Sequence, residues 1–159
     1  MGGGKLGSAE KLRYAAATIG MRQFLDDVIG DHPRVHVIGP VRHAACYNRA
    51  VGLLADGLDL TGYAVIVDNQ HLVHASRHHG NARIEMQRGQ LPVGRDDYVL
   101  LPHIFGDPDK VEPATQGRRG SPAVSITKTI SASLYRVVAE VRINRRHLAF
   151  VTMYKSARR

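Results

Sequence analysis

Apolar residues recur along this chain at two spacings, and the change from one to the other divides it. In the first two thirds the spacing is helical. Leu12, Ala15, Ala16, Ile19, Phe24, Leu25 and Val28 make one stripe. Ser8 precedes it as an N-cap, with Glu10 in the first turn, where a carboxylate is favoured. Gly20 is a place for this helix to bend, and Gly30 with Asp31-His32-Pro33 ends it. Val35, Val37 and Ile38 read as a short extended piece stopped by Gly39-Pro40. Residues 44–56 read as a second helix with Gly57 as its stop. Residues 61–67 read as extended chain, after which Asp68 or Asn69 caps a short helix through Leu72, Val73 and Ala75 to Gly80. Residues 87–92 form a loop, 96–105 a further short helix broken near Pro102, and Gly106-Asp107-Pro108-Asp109 a turn.

In the last third the period becomes two. Residues 123–130, 134–142 and 147–154 are β-rich runs joined by short polar links, the pattern of an antiparallel meander. Helices first and a small sheet last make the fold class α+β. Alternation places Lys128 with Val124, Ile126 and Ile130, an unusual position for a lysine unless it snorkels or reaches a cleft. It places Arg136, Glu140 and Arg142 on one face of the next strand and Tyr135, Val137, Ala139 and Val141 on the other. In the last strand it groups Leu148, Phe150, Thr152 and Tyr154 against His147, Ala149, Val151, Met153 and Lys155.

Composition narrows the class. The 159 residues suffice for one domain, and no apolar run approaches the roughly 20 residues of a membrane helix. Residues 1–7 read as a disordered lead without a signal-peptide core, and a single cysteine, Cys46, excludes a disulfide framework. Twenty-two Lys/Arg against fourteen Asp/Glu give a net charge of +8, and between residues 141 and 159 there are six basic residues and no acidic one. Such a surface attracts polyanions, with Arg145 and Arg146 foremost, although it also suits a merely solvated face. Nucleic acid and an acidic protein are the partners of that kind.

Candidate chemistry is densest between residues 68 and 80. His71, His74, His78 and His79 lie within nine residues, and on a helix the first three share a face. Three such histidines could ligate zinc, but no His-Glu-x-x-His and no neighbouring Glu or Cys completes a metal pattern. No metal or other cofactor is therefore expected. Each histidine taken singly could equally be a capping or solvated residue.

These residues carry a resemblance. Gly57-Leu58-Asp59-Leu60-Thr61-Gly62-Tyr63, Val67-Asp68-Asn69, and His74 through His79-Gly80 are followed by Arg88-Gly89-Gln90-Leu91-Pro92-Val93 and Asp97-Tyr98. Then come Leu101-Pro102-His103-Ile104, Asp107-Pro108-Asp109-Lys110-Val111, Thr127-Lys128-Thr129-Ile130, residues 135–142 and residues 148–155. In this order they resemble the phage-associated barnase/EndoU/colicin/RelE-like nucleases. Within that group they resemble the third phage subfamily, often found at the C-terminus of Mu-type head morphogenesis proteins and in related toxins. The likeness runs from about Val35 to Lys155 and leaves residues 1–32 outside, which divides the chain into a lead (1–7), a helical extension (8–32) and a nuclease domain (33–159). The strand departs from it at Ser125, where an aromatic residue is expected.

The resemblance implies helices packed on an antiparallel sheet of about four strands, and metal-independent cleavage of RNA by its own 2′-hydroxyl. Such cleavage needs a base, an acid and groups that bind the developing phosphoryl charge. The resemblance gives His79 and His74 the proton work, with His79 foremost. It gives Lys128 and Arg142 the phosphate, Thr152 a hydrogen bond to a phosphoryl oxygen, Tyr135 and Tyr154 a base or phosphate contact, and Lys155 a place in the electrostatic funnel. His79, Lys128 and Thr152 are expected to meet in one cleft, with the His79 ring accessible to solvent. An endoribonuclease acting as a phage-encoded or toxin effector is one reading. A non-catalytic nucleic-acid-binding or virion interaction module is the alternative, and another enzyme of phosphate or nucleotide chemistry is a third. The implied partners are RNA and an acidic immunity protein or phage head proteins, with no membrane. The implied location is the cytoplasm of a target or host cell, or a virion from which the protein is delivered.

Overall fold

The computed structural model describes residues 8–27, 32–55, 57–114 and 120–158, with side chains from residue 15 onward. The expected lead (residues 1–7) and the expected end of the first helix (residues 28–31) lie outside the described residues. The described elements are α1 (Ser8–Asp27), β1 (Val35–Pro40), α2 (Ala44–Gly52), β2 (Ala64–Asp68), α3 (Asn69–His79) and α4 (Ala82–Gln87). They continue with α5 (Arg95–Tyr98), α6 (Leu101–Gly106), β3 (Lys110–Pro113), β4 (Ala123–Ile130), β5 (Ser133–Arg142) and β6 (His147–Ala157). No helix among them is long and apolar enough to cross a membrane.

The class is α+β, but the sheet has six strands rather than about four, in the order β1-β2-β6-β5-β4-β3. Neighbours are antiparallel except β2 and β6, which are parallel. The two edge strands account for the difference. β3 is Lys-Val-Glu-Pro, too short and polar to alternate. β1 runs through Gly39-Pro40 instead of stopping there, helped by a bulge between Val37 and Gly39. Other boundaries move for local reasons. α1 continues through Gly20, where an added Cβ would approach the His36 ring at 3.4 Å, so the glycine admits β1 rather than a bend. α2 stops at Gly52, short of Gly57. Pro102 lies in the first turn of α6, where its missing N–H costs nothing, so the break precedes it.

Register fixes two faces. Val124 and Ile126 on β4, Tyr135, Val137, Ala139 and Val141 on β5, and Leu148, Phe150 and Met153 on β6 share one face. All belong to the core, with Met21 and Phe24 of α1, Tyr47 and Val51 of α2, Leu72 and Ala75 of α3, and Leu101, Ile104 and Phe105 of α6. The expected grouping in β6 is corrected by one residue. Ala139 pairs with Phe150 and Val138 with Thr152, so Val151 is an extra residue in a bulge. That insertion turns Thr152 and Tyr154 to the face opposite Phe150, and Met153 and Lys155 to the core side.

The buried carboxylate of Asp97 ties the core side together. It accepts from the Tyr135 hydroxyl (2.6 Å), the Gly94 N–H (2.7 Å) and the Lys155 ammonium (3.0 Å). Burial alone would raise the Asp97 pKa, but the hydrogen bonds from Tyr135, Gly94 and Lys155 and the lysine charge outweigh it and hold it below the ordinary carboxylate value. The same contact and burial push the Tyr135 hydroxyl well above its usual range. Asp97→Asn should therefore cost about 2–3 kcal/mol at pH 7 in denaturant unfolding, since it leaves Lys155 unpaired. A depressed native pKa stabilises above the unfolded value and is lost as pH falls through the native one. The gap between wild type and variant should thus narrow below about pH 4. A gap independent of pH would contradict the ionised role of Asp97.

Candidate active site on the open face of the sheet

The face opposite the core carries polar side chains. Ser125, Thr127 and Thr129 of β4 lie beside Val138, Arg136 and Leu134 of β5, and Arg136 and Val138 lie beside Tyr154 and Thr152 of β6. α3 borders this face because it follows β2 with no connecting residue and packs along β6.

The junction between β2 and α3 is built by two adjacent side chains. Asp68 is extended, and its Oδ1 caps α3 by accepting from the His71 N–H at 2.8 Å. Asn69, almost fully buried, accepts from the Arg34 N–H and donates to the His32 carbonyl, both at 2.8 Å, and so clamps the entry to β1. The second Asp68 oxygen lies 2.6 Å from His71 Nδ1 and 3.4 Å from Arg142 Nη2. Arg142 Nε donates to Glu140 Oε1 at 2.9 Å. Burial would raise the Asp68 pKa, but the side-chain and backbone hydrogen bonds from His71 and the charges of His71 and Arg142 prevail and lower it. An ionised Asp68 can only accept, so in its neutral form the His71 ring carries its proton on Nδ1 and has a lone pair on Nε2. This is the geometry of an oriented general base. Arg142 spans two carboxylates and keeps Nη1 outside those two contacts.

The expected site residues divide between the two faces. Arg142, Thr152 and Tyr154 lie on the open face by register. The His74 ring, one turn after His71, packs against His78 in a tilted arrangement, with ring centroids 4.3 Å apart. His79 does not share their exposure. The residue is 7% exposed, with Nδ1 3.3 Å from the fully buried Glu85 and its ring edge-on to Tyr154, the ring centroids 4.4 Å apart. The helix end is pressed down there: the His79 carbonyl accepts from Val93 N, and a Cβ on Gly80 would stand 2.5 Å from the Ser76 carbonyl. Gly80 is thus required by close approach, its φ of −92° being ordinary.

Lys128 does lie on the apolar face, but no cleft explains it. Its ammonium is held by the Asp107 carbonyl (2.6 Å) and carboxylate (3.2 Å), with Asp109 at 3.7 Å, and staples the end of α6 to β4. Lys128 and Thr152 therefore face opposite sides of the sheet, and the expected cleft of His79, Lys128 and Thr152 does not form. Tyr135 and Lys155 are bound to Asp97 on the core side rather than offered to a ligand. In the β5–β6 hairpin Arg145 is exposed, while Arg146 donates to the Thr61 carbonyl at 3.1 Å and lies 5.2 Å from the Tyr63 ring centre.

His71, Asp68 and Glu140 are the residues that sequence reasoning did not select. A signal for the first two existed. Asp68-x-x-His71 has the spacing of a capping box, with histidine in place of the usual Glu. Among the described residues no group of three His, Cys, Asp or Glu side chains is arranged to hold a metal ion. Long-range ¹H–¹⁵N NMR of neutral His71 should show the Nδ1–H tautomer in wild type and a shift toward Nε2–H in Asp68→Leu. An Nε2–H tautomer in wild type would remove the oriented base.

No curated protein and no solved structure matches the chain. One family model does, over residues 49–159, from within α2 to the end of the chain, so α1 and β1 lie outside the match while packing in the same sheet and core. The matched region holds Asp68, His71, Glu140, Arg142, Thr152 and Tyr154 together. The chain belongs to the phage-Barnase-EndoU-ColicinE5/D-RelE like nuclease3 family.

Proposed function

We propose that this nuclease-family protein is a metal-independent endoribonuclease whose base is His71. The observation that carries the reading is the Asp68–His71–Arg142 constellation on the face of the sheet opposite the core. His71 Nε2 takes the proton of the 2′-hydroxyl, and the 2′-oxygen attacks phosphorus. The bond from phosphorus to the 5′-oxygen breaks, and that oxygen takes a proton from His74, on the same helical face one turn on. The products are a 2′,3′-cyclic phosphate and a 5′-hydroxyl. Asp68 holds the tautomer and stabilises the imidazolium as it forms. Arg142 binds the phosphoryl oxygens with its remaining donors, and Thr152 offers a hydroxyl on the same face.

This reading gives His79 a different part from His71. His79 joins α3 to the buried Glu85 and props Tyr154, so it supports the face without touching RNA. Incubation with RNA in EDTA should yield 2′,3′-cyclic phosphate ends. His71→Ala should lower the rate about 10²–10⁴-fold, the range for a general base, with little change in Tm. His79→Ala should lower stability by roughly 1–3 kcal/mol, since the buried Glu85 Oε2 loses its His79 partner. Cleavage undiminished in His71→Ala would exclude it as the base. RNA bound but never cut would instead favour a binding module.

A further inference from the structure

On the open face one cation stands apart. Arg142 is tied to Asp68 and Glu140, and Lys128 and Lys155 to aspartates on the core side. Arg136 is exposed and has no carboxylate partner among the described residues. Its guanidinium carbon lies 4.7 Å from the centre of the Tyr154 ring, its direct cross-strand neighbour. Tyr154 is fixed in turn by the edge contact with His79, and His79 by Glu85. Three side chains, Glu85, His79 and Tyr154, thus form a column from the core to the Arg136 guanidinium. Thr127 lies on the other side of Arg136 in the same cross-strand row and adds a hydroxyl. A cation seated on an aromatic ring with no carboxylate partner among the described residues is prepared for an anion: no ion pair has to break.

The position of this row identifies the anion. Asp68 comes two residues after Ile66, which pairs with Ala149, so the His71 site lies beside the Val151 bulge and the Val138–Thr152 row. The Arg136–Tyr154 row is two residues further along β5, about 7 Å along the strands, and Arg136 is two strand spacings, about 10 Å, across from Asp68 on β2. That is too far for the phosphate that His71 and Arg142 would hold, so the row would meet another phosphate of the same strand. We infer that Arg136, propped by Tyr154, is a subsite for a phosphate flanking the scissile one, so that the substrate is a single strand longer than a dinucleotide. This inference rests on the ribonuclease reading above.

Two substrates separate the subsite from the reactive centre. One is a dinucleoside monophosphate, which has only the scissile phosphate. The other is a deoxy-oligonucleotide with a single ribose, which has one cleavable bond and flanking phosphates. Arg136→Ala should lower kcat/KM on the oligomer about tenfold more than on the dinucleotide. Tyr154→Leu should share that signature, and Tyr154→Phe, which keeps the ring, should not. An all-deoxy oligomer, which cannot be cut, reads binding alone, and its salt slope should fall by about one in Arg136→Ala. If wild type cuts neither substrate but the deoxy oligomer still depends on Arg136, the cleavage reading fails and the subsite stands. Equal losses on both substrates, or deoxy binding indifferent to Arg136→Ala, would overturn the subsite.

Discussion

The core helices all pack on one face of the sheet, and that constraint governs the rest of the molecule. The inward residues of β4, β5 and β6 are almost uniformly apolar and merge with α1, α2, α3 and α6 in a single core. The outward residues must then be stable against water. They are hydroxyls, arginines, a glutamate and a tyrosine, with small or shielded side chains such as Ala149 between them. On that side a partly exposed polar strip of Thr127, Arg136, Thr152 and Tyr154 can meet a ligand, while Ile66, Ala123, Glu140 and Ala149 beside it are buried.

The β2–α3 junction sets the chemistry at the margin of that face. One carboxylate, Asp68, ends β2, caps α3, orients His71 and meets Arg142. Because strand and helix are joined without a linker, the capping geometry and the orientation of the His71 ring cannot vary independently. Glu85 has the same kind of role from below: fully buried, it pairs with His79 and Arg88, and His79 carries Tyr154. The α1–β1 segment ahead of the family match contributes to stability at the far edge, where Phe24 stacks on His36 at 5.1 Å and burial lowers the His36 pKa.

The meander was legible because local alternation decides it, and β4 has the bounds that the alternation indicates. What the sequence hid depends on contacts distant in the chain or on single insertions. The pairing of β2 with β6 joins residues 64–66 to 147–149, which no local pattern reports. The Val151 bulge adds one residue and reverses the faces of Thr152 and Tyr154, since the side-chain period is two. Lys128 was placed on the right face, but its partners come from a turn twenty residues away. A helix end is usually exposed, but Val93, Glu85 and Tyr154 bury His79, and none is its neighbour in sequence.

The central claim is that RNA meets the open face of the sheet beside α3. Amide chemical-shift mapping with a 2′-O-methyl RNA oligomer, which cannot undergo transesterification, tests it without relying on catalysis. The largest changes should fall on His71, Thr127, Arg136, Arg142, Thr152 and Tyr154, with α2, α6 and the Asp97 network little altered. Changes centred on α2, α6 and the Lys128–Asp107 staple would place the ligand on the other side of the sheet and contradict the account.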